Sequence, residues 1–334
     1  MAKYALILAA LCGFVITAVS GCFIIPFLRR LKAGQSIRED GPTWHKKKEG
    51  TPTMGGLCFI LGSTLALGFA WIMLLAKMPE ALSGSSGANM LLAMFAAFGF
   101  GAIGFADDYI KVVKKRNLGL RAWQKIVGQV FVTGALMGGL HATGALTTLV
   151  ILPFFGAVDF GILYYPIAFL FIIFMVNAVN LTDGIDGLAT SVTFVVMLGY
   201  LVLTSLLGYF HLSLWAAALA ASCAGFLIWN FYPAKTFMGD TGSMFLGGAV
   251  TAMAFCMGRP ELLLFLGFIY ICEAGSVVIQ RAYFKATHGK RIFKMTPIHH
   301  SFEMSGWSEV KIDYTFAGVA LCFVLLGILF VYIN

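Results

Sequence analysis

Five aspartates have the residue type and the surroundings expected of a reactive site. Each lies among small, turn-forming residues at the end of an apolar segment: Asp107, Asp108, Asp183, Asp186 and Asp240. Carboxylates that lie together can bind Mg²⁺, which prefers oxygen ligands shared with phosphate groups. One carboxylate of such a group can also accept a proton during catalysis. The pattern therefore predicts metal-assisted or acid–base chemistry at these positions.

The adjacent pair Asp107 and Asp108 needs a cation nearby, because ionising two neighbouring carboxylates is unfavourable. Lys111 follows three and four residues later, and on a helix its ammonium group could reach either carboxylate. The pair indicates a magnesium-linked or proton-accepting site. The alternative is an ordinary cluster of charges at a helix end.

Asp183 and Asp186 are three residues apart, so a helical turn would place both on one face. Gly184 and Gly187 leave room for a ligand to approach the backbone. The alternative is a helix N-cap at Thr182 or Asp183. A cap explains one aspartate and neither glycine, so the segment predicts ligand binding.

Asp240 lies between Gly239 and Gly242, where one apolar segment ends and the next begins. A helix N-terminus beside glycines is a natural site for phosphate. An aspartate there could hold Mg²⁺ shared with that phosphate. The alternative is that Asp240 serves only as a helix cap.

The last polar loop contains His299 and His300 after the basic segment Lys290–Lys294. Zinc is disfavoured, because neither a cysteine nor a third histidine stands at ligand spacing. The two histidines fit hydrogen bonds to phosphate better. Glu273 lies inside an apolar segment, where a charge is costly, and it should face the helix bundle. Its partner cannot be identified from the sequence.

The elements that position these residues are membrane helices. Of the 334 residues, 60% are hydrophobic and 11% are charged, which excludes a soluble enzyme, a disordered protein and a disulfide scaffold. A helix needs about 20 apolar residues to cross the hydrocarbon layer. The sequence predicts an all-α polytopic integral membrane protein, with residues 1–334 forming a single transmembrane domain of ten helices. The predicted spans are 5–28, 54–76, 89–106, 123–143, 164–181, 188–207, 212–231, 241–258, 261–283 and 312–333. The segment Thr143–Tyr165 predicts a short hairpin.

The basic residues orient these spans. Ten spans leave Lys3, Lys77 and Arg259 on one side and the other 20 of the 23 Lys and Arg residues on the opposite side. The positive-inside rule then places both termini outside and the five aspartates at the cytoplasmic boundary. The basic face can attract anionic lipid, or it can bind an anionic substrate. Nucleic acid is not expected as a partner, because the basic residues lie in short loops between spans.

Six segments together resemble the phospho-N-acetylmuramoyl-pentapeptide transferase family. This family belongs to the polyprenyl-phosphate N-acetylhexosamine-1-phosphate transferase superfamily. The matching segments are Ile37–Pro42, Lys48–Gly56, Asp107–Lys111, Asn180–Ala189, Phe237–Gly242 and Thr296–Glu303. The paired aspartates alone indicate the superfamily, and the GTPTMGG and TPIHH stretches narrow the resemblance to the family. One departure is Ser301, which stands where the family commonly has a third consecutive histidine.

The resemblance implies a reaction as well as a fold. The family transfers phospho-MurNAc-pentapeptide from UDP-MurNAc-pentapeptide to undecaprenyl phosphate, giving lipid I and UMP in the first membrane step of peptidoglycan synthesis. It implies ten membrane helices, a homodimer, Mg²⁺ and contact with membrane lipid. It also implies a bacterial plasma-membrane protein whose active site faces the cytoplasm.

The resemblance also implies roles for individual residues. Asp240 is implied as the principal metal ligand, with Asp107 and Asp108 as further ligands. Asp107 is implied as the base toward the lipid phosphate, and a covalent nucleophile remains open; His299 is the fourth catalytic residue. The nucleoside and sugar side comprises Asn180, Asp183, Gly184, Asp186, Phe237 and Gln280, with the Phe237 ring available to uracil. The further substrate-binding residues are Lys46, Lys48, Thr51, Lys111, Asn230 and His300.

Two other functions remain open. A sister enzyme would transfer GlcNAc-1-phosphate from UDP-GlcNAc, and the GTPTMGG stretch argues against it. A transporter would place its ionisable residues near the membrane midplane. Here Glu273 alone lies there, while the aspartates lie at the ends of spans.

Overall fold

The structure is a computed structural model that describes residues 2–31, 48, 50–77, 85–113 and 119–333. Its first eight helices are α1 (Ala2–Arg30), α2 (Leu57–Lys77), α3 (Ser85–Val113), α4 (Ala122–Ala142), α5 (Tyr164–Thr182), α6 (Leu188–Leu206), α7 (Phe210–Asn230) and α8 (Gly239–Cys256). The remaining helices are α9 (Leu263–Leu266), α10 (Phe268–Ala286), α11 (Ile298–Glu303) and α12 (Glu309–Ile333). A single antiparallel pair of strands, β1 (Leu149–Leu152) and β2 (Gly156–Asp159), completes the described part of the chain.

The chain is a polytopic membrane protein by the length and composition of its helices. Seven described helices, α1, α2, α3, α5, α6, α7 and α12, are long and apolar enough to cross a bilayer. An eighth span is possible if the segment Pro260–Leu266 and helix α10 are counted together, but the two are bent by 83°. The predicted span over 261–283 thus corresponds to two helical segments with a bend between them, and its crossing of the membrane stays a prediction. The chain bends at Gly267, where a Cβ atom would lie 2.5 Å from both the Leu263 carbonyl oxygen and Met175 Cε.

Helices α4 and α8 occupy two further predicted spans but are not among those seven. Helix α8 is buried without interruption from Thr241 to Cys256, and it packs mainly against α3 and α5. A helix that contacts protein on every side can carry glycine, serine and threonine, because lipid does not touch it. Its composition is thus less apolar than that of a lipid-facing helix. Ten transmembrane helices remain a prediction.

Glycines bring the start of α8 into backbone contact with α2 and α3. A Cβ atom on Gly56 would overlap the Cα atom of Gly242, and one on Gly104 would overlap the Asp240 carbonyl oxygen. The Gly56 amide also donates a hydrogen bond of 3.1 Å to the Met238 carbonyl oxygen. The GTPTMGG stretch and the Phe237–Gly242 segment therefore form one packed unit, which sets the end of α3 beside the start of α8.

The two local predictions for loops have opposite outcomes. The predicted hairpin is confirmed, with Leu149 opposite Asp159 and Leu152 opposite Gly156. The predicted helical turn through Asp183 and Asp186 is wrong, because α5 ends at Thr182 and α6 begins at Leu188. Gly187 takes a φ of 82°, a left-handed conformation that glycine adopts without strain and that breaks the helix.

Candidate active site

Three carboxylates converge where α3 ends and α8 begins. Asp107 and Asp108 lie near the end of α3, and Asp240 lies in the first turn of α8. One oxygen from each lies within 4.8 Å of one from the others, and Asp107 and Asp108 are buried while Asp240 is half-buried. Among the described residues, these three form the group of potential metal ligands whose atoms lie close enough together to share one ion.

Two lysines offset part of the negative charge of the three aspartates. The Lys111 Nζ atom lies 2.5 Å from Asp107 Oδ2 and 3.9 Å from Asp108 Oδ1, which confirms that it reaches both carboxylates. It also lies 3.3 Å from Asp240 Oδ2. The Lys125 Nζ atom lies 2.6 Å from that same oxygen and 3.1 Å from Asp107 Oδ1. Both ammonium groups thus face the point where the carboxylates meet.

Each aspartate has one oxygen held by a fixed donor of the protein. Asp107 Oδ1 accepts a hydrogen bond of 2.7 Å from the Leu120 backbone amide. Asp108 Oδ2 accepts bonds of 2.9 and 2.7 Å from the amide and hydroxyl of Thr241. Asp240 Oδ1 accepts a bond of 3.1 Å from Asn180 Nδ2. These bonds orient the carboxylates, so that the second oxygen of each faces a lysine.

The cap of α8 is supplied by another helix. Met238 is the N-cap residue of α8 and its side chain makes no capping bond. The carboxylate of Asp108 instead accepts the free amide of Thr241 in the first turn. The alternative interpretation of Asp240 as a simple helix cap is therefore wrong, since the side chain of Asp240 is directed to the two lysines and Asn180.

A second charged group lies where α5 passes into α6. The Lys48 Nζ atom lies 2.7 Å from Asp186 Oδ1 and 2.6 Å from Glu309 Oε2. Asp186 Oδ2 also accepts a bond of 2.8 Å from the Ala234 amide. Burial of the Lys48 ammonium lowers its pKa, but the charges and hydrogen bonds of Glu309 and Asp186 outweigh burial and raise the pKa above its usual value. Lys48 therefore stays charged and links the first loop to this turn.

Asp183 lies in the same turn as Asp186, half-exposed. Enclosure by the protein raises the pKa of Asp183 well above its usual range, and the negative charges of Asp240, Asp108 and Asp186 raise it further. The protonated form of Asp183 is thus favoured more than for an ordinary aspartate, and this form can donate a hydrogen bond to a ligand.

The buried partner of Glu273 is His299. The His299 Nδ1 atom lies 2.9 Å from Glu273 Oε2, and both side chains are fully buried. A Cβ atom on Gly184 would overlap the other ring nitrogen, Nε2, so the imidazole edge faces the Asp183–Gly187 turn. His300 pairs separately with Glu303 at 2.6 Å.

Comparison with known proteins identifies the family. A model described as glycosyl transferase family 4 matches residues 90–258, about half of the chain, and signature 1 of phospho-N-acetylmuramoyl-pentapeptide-transferase matches residues 48–60. The chain is 47% identical over 328 residues to the phospho-N-acetylmuramoyl-pentapeptide-transferase of Heliobacterium modesticaldum, covering 98% of this chain and 96% of that one. It is 43% identical over 328 residues to that of Halalkalibacterium halodurans, covering 98% of each chain. The chain belongs to the phospho-N-acetylmuramoyl-pentapeptide transferase family.

Membership of this family applies to nearly the full length. The transferase of Clostridium perfringens is also similar, with 42% identity over 322 residues that cover 96% of this chain and 97% of that one. The family-4 match contains all five aspartates, and the family signature begins at Lys48. The resemblance deduced from short motifs is therefore confirmed.

Not every residue implied by the transferase resemblance lies at the three carboxylates. Gln280 fastens the last loop to α10, because its Oε1 accepts bonds of 3.0 and 3.1 Å from the Ile292 and Phe293 amides. Asn230 is buried, accepting a bond of 2.7 Å from Thr190 and donating one of 3.0 Å to the Thr236 carbonyl oxygen. Direct contact of these two amides with substrate stays a prediction.

The first loop is described in part. Thr51 is half-buried and its amide bonds the Lys48 carbonyl oxygen at 3.1 Å. The next residue, Pro52, accepts a bond of 2.9 Å from the amide of the half-buried Phe237. Lys46 lies outside the described residues, so its predicted contact with substrate stays a prediction.

Two charged residues of the candidate site, Lys125 and Glu309, are not among the residues that the sequence predicts. Lys125 is the last charged residue before the charge-free stretch from 126 to 158. Its position at the start of a predicted span is the sequence feature that could have identified it. Glu309, at the first position of α12, pairs with Lys48 and accepts a bond of 3.0 Å from the Asp186 amide.

Proposed function

We propose that this chain transfers phospho-MurNAc-pentapeptide from UDP-MurNAc-pentapeptide to undecaprenyl phosphate, giving lipid I and UMP. The observation that carries the proposal is the meeting of Asp107, Asp108 and Asp240 with Lys111 and Lys125. This arrangement occurs in a chain that is 41–47% identical to transferases of that name over nearly its full length.

The reaction joins two anionic groups. An oxygen of the lipid phosphate attacks the phosphorus attached to the sugar, a new P–O bond forms, and the bond to UMP breaks. Lys111 and Lys125 reduce the repulsion between the reactants and neutralise charge that develops on the phosphates. We assign Asp107 as the base that accepts the proton of the lipid phosphate, because its carboxylate lies beside both ammonium groups, where they would hold the anionic reactants.

Mg²⁺ is proposed as the cofactor, held by Asp240 with Asp107 and Asp108. The donor set fits, because it consists of carboxylate oxygens within 4.8 Å of each other, the ligand type that Mg²⁺ prefers. The hydrogen bonds from Leu120, Thr241 and Asn180 already orient these carboxylates. The two lysines contact the same oxygens and would have to move aside. Bound Mg²⁺ would supply positive charge to the phosphates during transfer.

The substrate is tested by comparing two donors. With undecaprenyl phosphate and Mg²⁺, we expect the purified protein to release UMP from UDP-MurNAc-pentapeptide and little or none from UDP-GlcNAc. Excess EDTA should stop release, and added Mg²⁺ should restore it. Preference for UDP-GlcNAc would assign the chain to the sister reaction. Absence of UMP release with either donor would contradict a transferase and favour a transporter.

The proposed location is the bacterial plasma membrane, with both termini outside and the aspartates facing the cytoplasm. A single cysteine in place of Lys290 should resist an impermeant thiol reagent added to intact spheroplasts. The matched variant Asp159→Cys, in the exposed hairpin, should react. Both should react after permeabilisation, and the unsubstituted chain gives the background from its seven cysteines. Labelling of the position-290 cysteine in intact spheroplasts would overturn this orientation.

The assembly is proposed to be a homodimer. Light scattering in detergent measures the mass of the protein once the contribution of the detergent has been subtracted. A mass of twice 36.1 kDa is expected, and a mass of 36.1 kDa would contradict the proposal.

A further inference from the structure

We propose that Glu273 is a positioning residue of the transferase, which fixes the imidazole of His299 so that its Nε2 atom faces the bound sugar nucleotide. The inference rests on the function proposed above and adds to it a residue with no contact to substrate. The juxtaposition that carries it is that His299 lies between Glu273, at its Nδ1 atom, and the Asp183–Gly187 turn, at its Nε2 atom.

The contact between the side chains of Glu273 and His299 is closed to solvent. The exposed fraction of both is zero, and the His299 Nδ1 atom lies 2.9 Å from Glu273 Oε2. An acid inside a membrane helix bundle is costly unless it has a partner. The carboxylate accepts the Nδ1 proton, so the ring is held in one orientation and its other nitrogen is directed away from Glu273.

Helix α10 holds the last loop at two points. Glu273 and Gln280 are seven residues apart on α10, so both lie on one face of the helix. Gln280 bonds the backbone of Ile292 and Phe293, and Glu273 bonds His299 beyond them. These bonds hold the short helix α11 against α10. His299 can move away from Glu273 only if the bonds made by Glu273 and Gln280 break.

The far side of the imidazole faces the candidate substrate site. His299 Nε2 is buried and has no hydrogen-bond partner among the described residues. A Cβ atom on Gly184 would overlap it, so the ring edge lies against the backbone between Asp183 and Asp186. A buried nitrogen left unpaired costs free energy, unless a ligand supplies the partner. With the Nδ1 proton directed to Glu273, Nε2 is free to accept, and we therefore assign it to a hydrogen bond from a sugar hydroxyl of the nucleotide sugar as it enters this turn.

The first test is a double-mutant cycle on UMP release. Glu273→Gln keeps the size of the side chain and removes its charge. We expect kcat to fall by about tenfold to a hundredfold, the scale for partners that orient a functional histidine, with KM for the nucleotide sugar little changed. In a His299→Ala background the same substitution should change kcat by less than about twofold, because the group it positions is absent. An undiminished effect in that background, or a normal kcat in Glu273→Gln alone, would overturn the proposal.

The matched control is Glu261→Gln. Glu261 is another buried acid, and it pairs with Arg259 before α9 rather than with the site. Its substitution should leave kcat within about twofold of the parent. A fall like that of Glu273→Gln would show that loss of any buried acid damages the enzyme, and the proposal would fail.

A second variant changes the surroundings of His299 at Nε2, on the side of the ring away from Glu273. It decides the question if Glu273→Gln does not fold. Gly184→Ala places a methyl group against Nε2 and should lower kcat strongly. In the His299→Ala background the methyl group no longer meets the imidazole, so the fold loss of kcat should be clearly smaller than in the parent. Equal losses in both backgrounds would overturn the assignment of Nε2. An unsubstituted protein that releases no UMP would instead refute the proposed function itself.

Discussion

Asp240→Asn is expected to lower the turnover of UMP release by about a hundredfold or more, the scale for electrostatic and acid–base groups. Asn retains the size of the side chain and can still accept the bond from Asn180. It removes the charge that Lys111 and Lys125 share at 3.3 and 2.6 Å. The two ammonium groups would then repel each other with less compensation. Steady-state kcat on UDP-MurNAc-pentapeptide is the measurement.

The matched control is Asp159→Asn, the same substitution in the exposed hairpin, which should leave kcat unchanged. Asp108→Asn should differ from Asp240→Asn in one respect. Because Asp108 caps α8 through Thr241, its loss should lower the thermal unfolding midpoint as well as turnover. Near-normal turnover in Asp240→Asn would refute its role as the principal metal ligand.

Gly56→Ala is expected to have the largest effect on folding. The new methyl group would overlap Gly242 Cα and lie 2.8 Å from the Gly242 nitrogen and 2.9 Å from the Met238 carbonyl oxygen. All three atoms belong to the backbone, so no side chain can move to make room. Overpacking of this kind typically costs about 1–3 kcal/mol and occasionally more. We expect a clear fall in the unfolding midpoint in detergent and a loss of turnover, because the start of α8 carries Asp240.

Gly68→Ala is the control for that substitution, since Gly68 lies in helix α2, which begins one residue after Gly56. No described atom lies within 4 Å of a Cβ at Gly68, and alanine is the better helix former by about 1 kcal/mol. Its unfolding midpoint should equal or exceed that of the parent. Equal midpoints for the two alanine variants would contradict the close contact between α2 and α8.

The grouping of Asp107, Asp108 and Asp240 could be predicted from sequence because the thickness of the membrane fixes the length of each span. Spans of fixed length put residues that end them at a common depth, whatever their separation along the chain. Partners within that depth are harder to identify. Lys125 contacts Asp240 across 115 positions, and Glu309 bonds Asp186 across 123. A lysine or glutamate at a helix end looks the same whether it faces water or a carboxylate.

The features that the sequence does not predict have physical causes as well. The three-residue spacing of Asp183 and Asp186 is compatible with a helical turn. The left-handed backbone conformation of Gly187 interrupts the helix there. The bend at Gly267 lies inside an apolar run, where hydropathy carries no information about direction. The pairing of Glu273 with His299 depends on the last loop folding back along α10, which no local pattern encodes.

The burial of α8 has a consequence for how the chain enters the bilayer during its synthesis. Helix α8 is enclosed by protein from Thr241 to Cys256. A helix whose apolar surface faces other helices gains little free energy from contact with lipid alone. Its main neighbours, α3 and α5, precede it in the chain and are already made when it emerges. We expect these neighbours to retain in the membrane the segment that carries Asp240. We expect the insertion of α8 and the assembly of the three-aspartate cluster to be one event.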